Sequence, residues 1–205
     1  MKRTLDVVAA LCGCVVFAIP LLLVGIAVKL TSSGPVVYWS QRVGRDNRLF
    51  WMPKFRTMRV NTPQLATHLL QNSESWMSPI GRFLRTTSLD ELPQLWSILK
   101  GDMSLVGPRP ALFNQDDLIR LRTEMGVNKL VPGLTGWAQV NGRDELTIPE
   151  KVELDVQYLH QHSLSLDMRI LILTAFKVFR RDGVAQAGEE RFRQAKSGAT
   201  NRTAA

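Results

Sequence analysis

The sequence predicts a mainly helical α+β protein. It has a proline-broken N-terminal membrane helix, a small β-hairpin and amphipathic helices suited to a membrane interface. Three observations carry this reading. From Val7 to Val28 there are 22 residues without a charge, interrupted by Pro20. Two β-branched and aromatic runs, Val36–Gln41 and Arg48–Met52, flank the polar turn Val43–Asn47. Further along, apolar residues recur at helical spacing in three separate stretches. The 205 residues carry 26 Lys and Arg against 18 Asp and Glu, a net charge of +8. The pI is about 10.0 and the mean hydropathy −0.04. At 45% hydrophobic residues the chain is too apolar for a disordered polycation. Two cysteines exclude a disulfide scaffold or a Cys-rich zinc module. The remaining partners are anionic: nucleic acid, a membrane surface or phosphorylated substrates.

The N-terminal segment is long enough to cross a bilayer and too long for a signal-peptide core. Lys2 and Arg3 precede it, and Lys29, Arg42, Arg45 and Arg48 follow. The positive-inside rule places both flanks in the cytoplasm, which a re-entrant helix broken at Pro20 satisfies. A kinked single span is the alternative, because proline is common in transmembrane helices. Cys12 and Cys14, two positions apart, face different directions and form no pair.

The hairpin comes next, and Thr62–Trp76 is a polar stretch without a strong pattern. A helix is expected over Glu91–Lys100, with Leu92, Leu95, Trp96 and Leu99 on one face and Gly101 as its stop. A second begins at the capping-box sequence Thr147-Ile148-Pro149-Glu150, with Val152, Val156 and Leu159 as its stripe. A third spans about Asp167–Arg181. Its broad apolar face is Met168, Leu171, Ile172, Ala175, Phe176 and Phe179, with Arg169, Lys177, Arg180 and Arg181 elsewhere. Such a helix lies at a membrane interface or faces a core. The boundaries expected are an anchor at 1–30, a main domain at 31–184 and a polar, disordered tail at 185–205.

The densest chemistry lies between Arg82 and Pro110. Asp90 and Glu91 are adjacent acids at a helix start, and Pro93 is best tolerated if Asp90 is the N-cap. The alternative frame has Ser88 as cap and Glu91 completing a capping box. Capping alone would explain Asp90, at about 1 kcal/mol. A helix N-terminus also keeps a carboxylate ionised and holds phosphate, and an ionised carboxylate beside phosphate is a possible nucleophile. Arg85 is near to neutralise charge, and Gly107-Pro108-Arg109-Pro110 presents Arg109 from a stiff turn. Residues 31–60 hold six basic side chains, Arg42, Arg45, Arg48, Lys54, Arg56 and Arg59, against the single acid Asp46. That patch suits phosphate, or lipid headgroups alone. Pro132–Arg143 reads as a glycine-rich loop with a short strand, and Arg143 is a candidate anion contact. His68, His160 and His162 lack metal-ligand spacing and read as structural or solvated.

Several long motifs, in order, resemble the bacterial sugar transferases, the monotopic polyprenyl-phosphate phosphoglycosyl transferases. They include Lys2-Arg3 with Asp6, Ser33-Gly34-Pro35-Val36, Gln41-Arg42-Val43-Gly44 and Lys54-Phe55-Arg56-Thr57-Met58. They continue through Ser88-Leu89-Asp90-Glu91-Leu92-Pro93, Gly101–Pro110, Pro132–Val140, Glu153-Leu154-Asp155 and Gly183-Val184. The resemblance covers about residues 2–184 and is closest to the minimal form, without further transmembrane helices. One departure is Ile19 before Pro20, where the family often has Ser.

The resemblance implies transfer of sugar-1-phosphate from a UDP-sugar to polyprenyl phosphate, releasing UMP, at the cytoplasmic face of the bacterial inner membrane. It implies Asp90 as nucleophile, forming an aspartyl-phosphosugar intermediate, with Glu91 associated with Mg2+ and acceptor activation. Carried over by position, Lys54, Arg56, Arg85, Arg109 and Arg143 are the candidates for phosphate or headgroup contact. Membrane lipids are expected partners and nucleic acid is not. A membrane-anchored basic binding module is the alternative of another class, and its binding would fall steeply with salt and ignore Asp90.

Overall fold

The computed structural model describes residues 1–63, 73–142 and 146–180. The expected tail, His68 and Arg143 lie outside the described residues. Helices α1 (Lys2–Val16) and α2 (Ala18–Thr31) meet at Phe17 with a bend of 62°. The break lies just before Pro20, whose ring excludes the carbonyl of a residue four positions earlier in a continuous helix. Pro20 itself occupies the first turn of α2, where no intrahelical bond is lost. No single described helix is long and apolar enough to cross a membrane; the bent pair together is.

Both ends of this pair are tied to the same body. Lys2 pairs with Asp167, and Arg3 donates to the carbonyls of Ile98 and Leu99. Buried Asp6 accepts from the Leu105 amide at 3.0 Å. At the far end, Arg56 donates to the Ser32 carbonyl and hydroxyl, both at 2.8 Å. Between these ties Val8, Leu11, Val15, Ile19, Leu22, Leu23 and Ile26 stay exposed. Cys12 is also exposed, whereas Cys14 packs on the core.

The hairpin forms as expected: β1 (Val37–Val43) pairs antiparallel with β2 (Leu49–Phe55), Val37 opposite Phe55 and Val43 opposite Leu49. Asp46 and Asn47 take positive φ in the turn, as Asx residues do readily. Phe50 and Met52 point inward to a core of Ala10, Leu95, Ile98 and Met103. Phe55, on the opposite face, packs with Val24, Val28 and Leu84.

After α3 (Gly81–Thr86), the helix expected over Glu91–Lys100 is two pieces. Leu89–Gln94 is a 3-10 helix and Leu95–Lys100 is α4, ended by Gly101 at φ 101°. The expected apolar face is also shifted. Trp96 is exposed, while Ser97 and Ile98 are buried, because α4 is wedged between α1 and β2.

Strand β3 (Ser104–Val106) pairs in parallel with β4 (Gly133–Thr135), which leads into the short helix α6 (Trp137–Val140). Helix α5 (Asp116–Glu124) packs on α7 (Ile148–Gln161). The Thr147–Glu150 capping box at the start of α7 is present as predicted. Helix α8 (Leu164–Arg180) begins three residues earlier than expected. It packs through Leu166, Ile170, Leu171 and Leu173, so most of its expected apolar face, Met168, Ile172, Ala175 and Phe176, remains open.

Candidate active site

The site forms where the hairpin meets the segment Ser88–Gln94. Alternation along β2 sends Phe50 and Met52 into the core and, two residues on, Lys54 towards the acids. The Lys54 ammonium donates to Glu91 Oε1 at 3.1 Å. Arg109, from the turn after β3, donates Nη2 to the same oxygen at 2.6 Å. One carboxylate oxygen thus gathers two cations, one from the hairpin and one from the turn after β3.

Asp90 is only 7% exposed. Its expected role as N-cap is not found. Ser88 is the cap, at φ 56°, and Asp90 lies inside the 3-10 helix. Pro93 fits there because the chain closes i→i+3 turns instead of the α-helical ladder on which the Asp90 frame was based. The alternative capping box is incomplete as well, since Ser88 makes no side-chain cap bond. Burial pushes the Asp90 carboxyl up to about 6, with Glu91 adding to the rise. Lys54, Arg85 and Arg109 oppose it. The Lys54 ammonium is pulled below its usual range by burial, with Arg109 repelling it and Glu91 holding it charged.

Arg85, from α3, donates Nε to Thr57 Oγ1 at 3.0 Å. Arg42, outside the expected set of contacts, also borders the site. It donates to the Pro110 carbonyl at 3.1 Å and the Ser40 hydroxyl at 3.0 Å. Burial, then repulsion from Arg109, lowers it to about 10, still charged at neutral pH. The signal for it was the strand alternation, which puts Ser40 and Arg42 on the same face of the hairpin as Met52 and Lys54.

Of the predicted contacts, Lys54, Arg85 and Arg109 gather around the Asp90–Glu91 pair. Arg56 does not join them through its bonds, which go to Ser32 at the end of α2. Arg143 lies outside the described residues.

Behind Arg109 stands a second, buried layer. Arg122 on α5 donates Nε and Nη2 to Asp155 Oδ2 at 2.9 and 2.6 Å, and Nη1 to the Arg109 carbonyl at 2.8 Å. Asp155, on α7, is 1% exposed, and burial raises its carboxyl while Arg122 holds it down. The turn bearing Arg109 is therefore braced from two helices. The adjacent glycines allow the close approach this requires: a Cβ at Gly136 would lie 2.1 Å from the Gly107 carbonyl oxygen.

Four cations around two adjacent carboxylates, one of them buried and raised to about 6, suit an anionic substrate and a carboxylate nucleophile. No group of three or more His, Cys, Asp or Glu able to hold a metal occurs among the described residues. A Mg2+ ion needs no such cage, since it is commonly bound by one or two carboxylates together with substrate phosphates.

Comparison with known proteins places the chain among sugar transferases. The chain is 40% identical over 187 residues to the UDP-glucose:undecaprenyl-phosphate glucose-1-phosphate transferase of Escherichia coli (strain K12), covering 87% of this chain and 40% of that protein. It is 40% identical over 200 residues to the undecaprenyl-phosphate galactose phosphotransferase of Salmonella typhimurium, covering 89% and 41%. The chain thus spans about two fifths of the length of these relatives. It is 39% identical to the uncharacterized sugar transferase EpsL of Bacillus subtilis (strain 168), covering 94% of this chain and 95% of that protein. The family model described as bacterial sugar transferase matches residues 1–181, and the chain belongs to that family.

Proposed function

We propose that this protein is a phosphoglycosyl transferase that moves sugar-1-phosphate from a UDP-sugar to undecaprenyl or another polyprenyl phosphate. The observation that carries this reading is the buried Asp90 carboxyl, set beside Glu91 and faced by Lys54, Arg85 and Arg109. In the first half-reaction an Asp90 oxygen attacks the sugar-bearing phosphorus. The bond from that phosphorus to the bridging oxygen breaks, and UMP leaves with that oxygen. In the second, a phosphate oxygen of the polyprenyl phosphate attacks the same phosphorus and returns the Asp90 carboxylate. A covalent intermediate lets one soluble and one lipid substrate use the same acidic pair in turn.

Lys54 and Arg109 hold Glu91 in place and, with Arg85, offset charge developing on the phosphoryl oxygens. Glu91, with Asp90 alongside, would hold Mg2+ together with the diphosphate, and the ion would supply further charge neutralisation there.

The bent helix pair serves as a re-entrant anchor, with the catalytic domain on the cytoplasmic face. Its support is that Lys2, Arg3 and Asp6 at one end and Ser32 at the other are held by the same body. A straight span of some 30 residues would separate those ends by about 45 Å.

The decisive experiment is incubation with a UDP-sugar labelled in the sugar, without lipid acceptor. The label should stay on Asp90, with one equivalent of UMP released. Turnover by Asp90→Asn at the parent rate would end the assignment. Labelling of cysteines placed at positions 2 and 33 in sealed vesicles tests the anchor: reaction from opposite faces refutes re-entry.

A further inference from the structure

We propose that the outer face of the hairpin is a second membrane contact, seated on an anionic bilayer surface through Trp39 and Trp51. This rests on the anchor reading above and extends it to a part of the fold remote in sequence from the helix pair.

The argument begins with register. Trp39 stands opposite Pro53, and Trp51 opposite Gln41. Residues two apart on a strand share a face, so the two indoles lie diagonally on one side of the ribbon, about 7–8 Å apart at their backbones. Neither is covered: Trp39 is 48% exposed and Trp51 56%, and Leu49 beyond them is 55% exposed. The opposite face is the one that carries Phe50, Met52 and Lys54 into the core and the site. The indoles therefore have no part in either.

The hairpin is packed against the anchor. The end of β2, at buried Phe55, packs with Val24 and Val28 of α2. At that contact a Cβ on Gly25 would lie 3.8 Å from both Phe55 Cε1 and Val36 Cγ1. Phe55 and Pro53 are themselves buried, so the hairpin abuts α2 through them, while Leu22, Leu23 and Ile26 on α2 and Trp39 and Trp51 on the hairpin stay exposed on either side of that contact.

The chemistry selects the occupant. Tryptophan is favoured at the headgroup level, where an apolar body and one N–H donor are both accommodated. Exposed Arg48 complements anionic headgroups, and Arg45 at the tip, 3.6 Å from the exposed carboxylate of Asp46, keeps its guanidinium open to them. The ribbon would then lie along the interface next to the anchor, with Lys54 and Arg42 facing inward to the site.

The test uses the full chain with Cys12 and Cys14 replaced, reconstituted in vesicles of phosphatidylethanolamine and phosphatidylglycerol. An environment-sensitive nitrobenzoxadiazole label is placed singly through Trp39→Cys, Trp51→Cys, Ile26→Cys or Asp117→Cys, the last an exposed site on α5. Labels at 39 and 51 should emit to the blue of the label at 117. A headgroup-level spin-labelled lipid should quench them at least twofold, leaving 117 unchanged. If 39 and 51 behave like 117 while 26 reports lipid, the hairpin contact is refuted and the anchor stands. If 26 also reports water, the anchor reading fails and takes this proposal with it. Shielding at 39 and 51 that needs no lipid and grows with protein concentration would assign the face to a second copy of the chain, and would equally overturn the proposal.

Discussion

Replacing Asp90 with Asn should remove activity and at the same time stabilise the fold, by an amount that depends on pH. The carboxyl is raised from 3.8 to about 6, chiefly by burial. A raised acid binds protons more tightly in the folded than in the unfolded chain. Its charge therefore begins to cost stability as pH climbs past 3.8, and the cost is complete above about 6. Two units at 1.36 kcal/mol each amount to ~3 kcal/mol. Asparagine is nearly isosteric and carries no titrating proton. The variant should therefore match the parent near pH ~4 and exceed it by the full ~3 kcal/mol at pH ~7.5. At roughly 2–4 °C per kcal/mol for a chain of this size, the melting temperature should rise by ~6–12 °C. Thermal unfolding in detergent micelles and metal-free buffer, repeated across that pH range, measures the difference. A constant offset at every pH, or a lower melting temperature at neutral pH, would refute the claim that Asp90 is held ionised against its burial.

Other substitutions probe the supports of the site. Arg122→Met and Asp155→Asn should each cost about 3–5 kcal/mol, because either strands a buried partner. In a double-mutant cycle their combined cost should fall well short of the sum, and additivity would show that the pair is not coupled. Gly136→Ala should lose about 1–3 kcal/mol in a urea titration, since its methyl must displace the Gly107 carbonyl; an unchanged midpoint would contradict that approach. Thr147→Ala should cost about 1 kcal/mol with activity intact, measured by chemical denaturation alongside turnover, as expected for a cap remote from the acids.

What could be read from the chain was what is decided locally. The hairpin followed from two β-branched runs around a polar turn, and the start of α7 from Thr147 and Glu150. Asp90, Glu91, Lys54, Arg85 and Arg109 stood out through charge beside turn chemistry, and the fold brings those five together. Where the structure departs from the local pattern, the cause is tertiary packing. Periodicity put Trp96 inside and said nothing of Ser97, but α4 has neighbours on two sides and its buried surface is not a simple stripe. Asp90 is not the N-cap because a left-handed Ser88 resets the chain into a 3-10 helix, which no single-residue preference for serine announces. Arg56, a candidate phosphate contact from the basic run Lys54–Arg59, gives its Nη2 to Ser32, while its buried Nε and Nη1 make no hydrogen bond among the described residues. The Arg122–Asp155 brace joins residues 33 positions apart, beyond the reach of any local pattern.

The ties between the first helix and the body have a practical consequence for anyone wanting a detergent-free form of this protein. Cutting the chain after Thr31 would leave the Leu105 amide without the Asp6 carboxylate, and Asp167 without its lysine. It would also strip Ala10 from the cluster around Leu95 and Ile98. The fragment left would expose a fresh apolar cleft and aggregate. Water solubility is better sought by keeping α1 and α2 and exchanging their outward residues, Val8, Leu11, Val15, Leu22 and Ile26, for polar helix formers. The helix pair is then retained as a wall of the fold while its greasy exterior is rewritten.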